Sequence, residues 1–134
     1  MTKLSVIEGI GETYQDKLNE IGINSIEALL EKGKTKRNRE ELAKDSGISE
    51  KLILKWINHA DLMRIKGVGG EFAEILEASG VDTIPELARR NAENLTSKIE
   101  DVNKEVELVR RTPSLHMVEE WIKQAKELPR VIEY

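Results

Sequence analysis

The sequence predicts an all-α fold in which one short unit, helices joined through a glycine turn, is written twice. Three observations carry this. The segment Ile7-Glu8-Gly9-Ile10-Gly11 returns as Ile65-Lys66-Gly67-Val68-Gly69, an offset of 58 residues that also pairs Tyr14 with Phe72, Leu18 with Leu76, Gly22 with Gly80, Ile23 with Val81, Ile26 with Ile84 and Leu29 with Leu87. At an offset of 65, Trp56-Ile57 pairs with Trp121-Ile122 and Ala60 with Ala125. Aromatic residues make up only 4% of the chain and there are three prolines, a composition that disfavours a β-rich fold.

The elements follow in order. From Glu12 apolar residues recur at Tyr14, Leu18 and Ile21, and from Gly70 at Phe72, Ile75 and Leu76, which is helical spacing. Gly22 and Gly80 stand where a helix C-terminus takes a residue with positive φ. Ser25 reads as the cap of the next helix in the first copy. In the second copy Thr83-x-x-Glu86 is a capping box, with Pro85 tolerated in the first turn. Ser49 and Ser114 read as caps of the long helices bearing Trp56 and Trp121. Leu52, Ile53, Trp56, Ile57 and Ala60 form an apolar stripe on the first of these. Four or five short helices per copy are expected, and no strand. The expected organisation is a repeat over 1–60 and a second over 61–134, packed as one compact pseudo-twofold domain. The change of offset puts about seven extra residues in the second copy, within 96–114.

Composition bounds function. The 134 residues are 39% hydrophobic and 34% charged, enough for a buried core with one wet face per helix. There is no cysteine, so disulfides, thiolate metal sites and a cysteine nucleophile are excluded. Met1 to Val6 lacks the apolar stretch of a signal peptide, and 18 apolar residues never run together. A cytoplasmic protein away from membranes is expected. The net charge of −4 is unevenly spread: residues 1–60 hold ten basic and ten acidic side chains, and 61–134 hold eleven and fifteen.

The candidate chemistry lies at Gly9-Ile10-Gly11 and at Lys66-Gly67-Val68-Gly69-Gly70. Two glycines around one apolar residue allow a tight turn, with the apolar side chain plugging the core. Each turn opens directly into a helix N-terminus, where unpaired N–H groups and the positive end of the helix dipole suit one phosphate. Two such turns could hold the two strands of a duplex by their backbones without reading a base.

An apolar residue before the glycines, an aromatic three residues after them and the repetition of the whole make the chain resemble the helix-hairpin-helix superfamily. Tandem units of that superfamily commonly bind DNA through these backbone amides. Nearly the whole length also resembles a family of small, uncharacterised tandem helix-hairpin-helix proteins catalogued as a domain of unknown function. The stretches Ser49 to Gly69 and Pro113 to Tyr134 carry that likeness, the latter with Trp121-Ile122-x-Gln124-Ala125-Lys126 and Leu128-Pro129-Arg130. The resemblance implies a fold and a ligand class and no established activity. This chain departs from a good DNA-binding hairpin in placing Glu12 and Glu71 early in the following helices, and Glu8 inside the first turn. Such acids favour a helix N-terminus on their own account and repel a phosphate. The second turn, preceded by Arg64 and carrying Lys66, is the better candidate.

Lys32, Lys34, Lys36, Arg37 and Arg39 put five cations in eight residues, and Gly33 and Thr35 mark a loop leading into a helix. This run could supply phosphate contacts, or be a solvated loop partly neutralised by Glu31, Glu40 and Glu41. Arg89-Arg90 and Arg110-Arg111 read as charges at helix ends. Tyr14, Phe72, Trp56 and Trp121 hold matching slots among apolar neighbours and read as core, not as stacking platforms for bases. His59 and His116 have no neighbours at metal-ligand spacing and read as surface or boundary residues. No pair of carboxylates stands out as acid and base, and neither turn ends in the Gly-Lys-Ser/Thr of a phosphate-binding loop. The reading is a non-catalytic, cofactor-free, metal-free module binding nucleic acid, duplex DNA first, without sequence preference. Its rival is a protein-interaction adaptor on the same scaffold, favoured by the net acidity.

Overall fold

The periodicity read from the sequence becomes eight α-helices and one 3-10 turn, Leu4–Val6, in the computed structural model, which describes residues 2–134; there is no strand among them. Met1, where the stretch read for a leader and the first repeat both begin, lies outside the described residues. The helices are α1 (Glu12–Glu20), α2 (Ile26–Lys32), α3 (Lys36–Ser46), α4 (Glu50–Leu62), α5 (Gly70–Ala78), α6 (Ile84–Ala88), α7 (Ala92–Val106) and α8 (Leu115–Glu127). No helix among the described residues is long and apolar enough to cross a membrane.

The chain forms two compact units. One runs to Asp61 and takes back Val131–Tyr134 from the far end of the chain; the other is Leu62–Arg130. In the first, Leu18, Ile23, Leu29, Ile53, Trp56 and Ile57 are sealed from solvent. In the second, Leu76, Val81, Leu87, Ile99, Val118 and Trp121 form the centre of the core, and Phe72 packs against it half-buried. Burial of these side chains is the main stabilising term, at about 1.5–3 kcal/mol each.

The ends of the helices are cut by the same chemistry in both units. After α1, Gly22 (φ 86°) donates to Asn19 O and Ile23 to Leu18 O; after α5, Gly80 (φ 92°) donates to Glu77 O and Val81 to Leu76 O. Each is a Schellman closure with its buried apolar residue one position on. The two units differ between their third and fourth helices. There α7 has 15 residues against 11 in α3, and residues 107–114 replace the shorter joint 47–49. Glu107 caps α7 in the left-handed region (φ 49°), and the Asn103 side chain fixes the following segment by accepting from Val109 N (3.0 Å) and donating to Val109 O (2.9 Å).

Candidate functional site

Each glycine segment is a hydrogen-bonded turn set on a tryptophan. Ile10 N donates to Ile7 O at 3.2 Å and Val68 N to Ile65 O at 3.1 Å, closing four-residue turns. The third residue of each is a glycine with positive φ, Gly9 at 94° and Gly67 at 98°, which a side chain resists. A Cβ there would lie 3.5 Å from Trp56 Nε1 in the first turn and 3.2 Å from Trp121 Nε1 in the second. The tryptophans are buried, Trp56 packed edge-on by Tyr14 and Trp121 met at a tilt by Phe72, with ring centroids 5.1 Å and 5.2 Å apart. Ile10 and Val68 point into the core, while the flanking Gly9, Gly11, Gly67 and Gly69 are exposed. Gly70, the first residue of α5, is buried.

The second glycine of each turn has a different character. Gly11 caps α1 at φ −85°, ψ −175°, and Gly69 caps α5 at φ −97°, ψ −168°, extended backbone that any residue adopts. A Cβ at either would meet nothing within 4 Å. The other six helices begin on Ser25, Thr35, Ser49, Thr83, Asn91 and Ser114, whose side chains accept a first-turn N–H at 2.9–3.2 Å. Of the α-helices among the described residues, α1 and α5, the two that leave the turns, start without a side-chain cap. Their first-turn N–H groups therefore have no partner within the helix, and the capping residues Gly11 and Gly69 are exposed. Glu12 and Glu71, both exposed, stand in these same first turns.

A residue that sequence reasoning missed fixes the second turn. Gln124 Oε1 accepts from Lys66 N (2.8 Å) and its Nε2 donates to Lys66 O (3.1 Å), so Lys66 offers only its exposed side chain to a ligand. Arg64, just ahead of it, turns back to Pro129 O at 3.1 Å. The position matching Gln124 at the Trp56–Trp121 offset is His59. That imidazole is fully buried, which corrects its reading as a surface or boundary residue; His116 is exposed. The signal for the clamp was present in the repeat, since Gln124 and His59 share a slot on the helix face beside each tryptophan.

The basic run is not one patch, nor mainly a loop. Lys32 ends α2 and Lys34 lies in the joint before α3; Lys36, Arg37 and Arg39 lie in the helix, with Thr35 as its cap. Lys36 and Arg37 are exposed, Arg37 within 3.7 Å of Glu41, and Lys34 pairs with Glu31 at 2.8 Å. Such exposed pairs are worth at most about 1 kcal/mol and yield to a better partner. Arg39 is a correction to the expected cation surface: it is 2% exposed and faces inward. Its guanidinium donates to Gly33 O (2.8 Å), Lys34 O (3.1 Å) and Glu133 O (2.7 Å), and lies 5.7 Å from the Tyr134 ring centroid. Burial pushes its pKa down, opposed by charge at Tyr134 and Glu50. Its carbonyl partners take up the donors a phosphate would need.

In the second unit the structure brings together residues the sequence kept apart. Glu71, in the first turn of α5, shares a groove of about 920 Å³ with Glu100, Lys104, Glu107, Arg110 and Arg111. Arg110 and Arg111 are thus not helix-end charges. They lie on the segment held by Asn103, beside the start of the helix that leaves the second turn.

A family model described as a domain of unknown function (DUF4332) matches residues 8–128. The chain belongs to this family. The DUF4332 match runs from Glu8, the second residue of the first turn, to Leu128 just past α8, so the second turn and all eight α-helices of the described residues fall inside it. No curated protein and no solved structure matches the chain.

Proposed function

We propose that this DUF4332 chain is a non-catalytic module built from two helix-hairpin-helix repeats, and that it binds the phosphate backbone of nucleic acid, duplex DNA first, without sequence preference. One observation carries the reading: Gly11 and Gly69. Their backbone angles demand no glycine and a Cβ there would strike nothing. Ser or Asp would fit and would cap the helix as in the six others, so the fold alone does not account for glycine twice. Close approach of an external anion to the first-turn N–H groups does account for it, as the dipole and unpaired donors of a helix start suit phosphate. The side chains of Lys66, Lys104, Arg110 and Arg111 supply charge beside the second turn, and Lys34, Lys36 and Arg37 supply it in the first unit. Arg39 is left out of this set.

Fluorescence anisotropy with labelled duplex and single-stranded oligonucleotides, titrated from low to physiological salt, tests the reading. Binding should weaken with a log–log slope of about −0.9 per phosphate neutralised. Reversing charge at Lys36 and Arg37, or at Arg110 and Arg111, should weaken it further. No binding at low salt overturns the proposal. The adaptor reading then takes its place, supported by the net charge of −4 and by the exposed Glu12 and Glu71 at the helix starts.

A further inference from the structure

In the first unit an extended segment lies against the start of α3 and the side of α4. Glu133 N donates to Lys34 O (2.8 Å), Glu133 O accepts from Arg39 Nη2 (2.7 Å), the Tyr134 hydroxyl donates to Asn58 Oδ1 (2.6 Å), and Ile132 is buried. The second unit has a counterpart to this place. Thr35 and Asn91 each cap the third helix of their unit through the N–H three residues on, which pairs Lys34 with Arg90. Trp56 and Trp121, each seated under its glycine turn, fix the register of the fourth helices, which pairs Ile57 with Ile122 and Asn58 with Lys123. The positions equivalent to those that hold the extended segment thus line an open cleft of about 380 Å³, formed by residues 90–92 at the start of α7 and by Glu119, Ile122, Lys123 and Lys126 of α8.

The chemistry of the two places differs in one respect. Where the first unit has the inward guanidinium of Arg39, the residue following the third-helix cap bond in the second unit is Leu95, also buried. Positive charge stands in the cleft wall instead: Arg90, Lys123 and Lys126 against the single acid Glu119. Arg90 is anchored by Nη2 donating to Ser79 O at 3.2 Å, and Lys123 and Lys126 are exposed and make no ion pair among the described residues. In a chain of net charge −4, a cleft with three cations and one acid selects for an acidic occupant.

We propose that this cleft docks an extended, acidic peptide segment of a partner protein, in the manner in which Val131–Tyr134 lies in the first unit. A peptide N–H would donate to the Arg90 carbonyl as Glu133 N does to that of Lys34. An apolar side chain would rest on Ile122, and acidic side chains would meet Arg90, Lys123 and Lys126. Main-chain pairing gives such a segment affinity and the side-chain sites give it specificity. The inference rests on the pairing of the two units and is independent of phosphate binding at the glycine turns. A peptide fits better than a phosphate backbone because the matching place already holds extended polypeptide and because Glu119 and Ile122 contribute to the cleft.

The test is an amide chemical-shift titration of the ¹⁵N-labelled full chain with acetylated, amidated VIEY peptide, and with VIKY as the charge-reversed probe. Saturable shifts at Arg90, Asn91 and Lys123 are expected with VIEY. They should weaken about tenfold with VIKY and in a Lys123→Glu/Lys126→Glu variant whose spectrum shows it folded, since the probe's one carboxylate faces the cations of the cleft and either change turns that attraction into repulsion. Shifts confined to Lys34 and Asn58, absence of shifts at millimolar peptide, or binding indifferent to charge reversal would each overturn the proposal. So would a short DNA duplex that moves Arg90, Asn91 and Lys123 when the peptide does not.

Discussion

Replacing Gly69 by Asp separates stability from binding at the centre of the proposed site. At φ −97° and ψ −168° the residue is extended, and the new Cβ would meet nothing within 4 Å, so no strain is introduced. The new carboxylate stands at the N-cap of α5, in reach of the N–H of Glu71 or Phe72. An Asp cap improves on glycine by a few tenths of a kcal/mol, and removing a glycine from the unfolded chain adds about 0.4–1 kcal/mol. The helix dipole adds about 0.3–1 kcal/mol, part of it offset by repulsion from Glu71. The sum is about 1 kcal/mol, and for a chain of this length the melting temperature should rise by about 3–5 °C. Duplex binding should move the other way. A carboxylate occupies the donors a phosphate would use, and loss of a hydrogen bond to a charged group costs about 1.5–3 kcal/mol, or roughly ten- to a hundredfold in affinity. Circular dichroism melts and anisotropy at low salt read the two effects, with Gly69→Ala as a control that adds the Cβ without the acceptor. A variant that melts higher and binds duplex as tightly as the parent refutes the assignment of phosphate to this helix start. A variant that melts lower refutes the capping argument itself.

Three other outcomes follow from the same structure. Gly67→Ala forces an alanine to φ 98° and puts its Cβ 3.2 Å from Trp121 Nε1, so thermal melts should show a loss of about 1–3 kcal/mol, with Gly69→Ala nearly neutral beside it. Arg39→Ala leaves the carbonyls of Gly33, Lys34 and Glu133 without their donor and should cost about 2–4 kcal/mol in denaturant unfolding, while Lys36→Glu and Arg37→Glu should leave stability within about 0.5 kcal/mol. Glu27 accepts from the Thr2 backbone N–H at 2.7 Å, which holds its carboxyl below the usual value of 4.5; its contribution is therefore complete above that pH and lost as pH falls through the lower folded value. Acid titration of Glu27→Gln should lack that increment, and a parallel pH dependence in the two proteins would contradict the assignment.

The parts of the fold that were legible in the sequence are those written in neighbouring residues. Ser25, Ser49, Thr83 and Ser114 announce helix starts because a cap acts over three residues. Gly22 and Gly80 announce helix ends because a left-handed closure needs glycine. The tryptophan slots were legible because the same spacing occurs twice. What escaped depends on partners distant in the chain. Arg39 looks like one more cation in an exposed run, and one of the three carbonyls that satisfy it when buried, that of Glu133, lies 94 residues away. Gln124 is an unremarked polar residue until its amide meets Lys66, 58 positions earlier. Arg110 and Arg111 gain their neighbourhood only when Asn103 folds the segment after α7 back beside Glu71. In the candidate site the glycines, Ile10, Val68 and the side chain of Lys66 were readable. The contrast between a glycine required by its φ and one required by nothing inside the chain lies in the folded backbone and leaves no mark on the sequence.

The return of Val131–Tyr134 to the first unit ties its buried cation to a part of the chain made long after it. The second unit is a continuous piece, Leu62–Arg130, whose helices close on one another over short separations. The first lacks one of the three acceptors of Arg39 until residues 131–134 have joined it, and closing a loop of that length carries an entropic penalty. Once the second unit has collapsed, the stretch of free chain to be closed is far shorter than the sequence separation implies. One acceptor of this buried guanidinium thus comes from residues made only after the whole of the second unit.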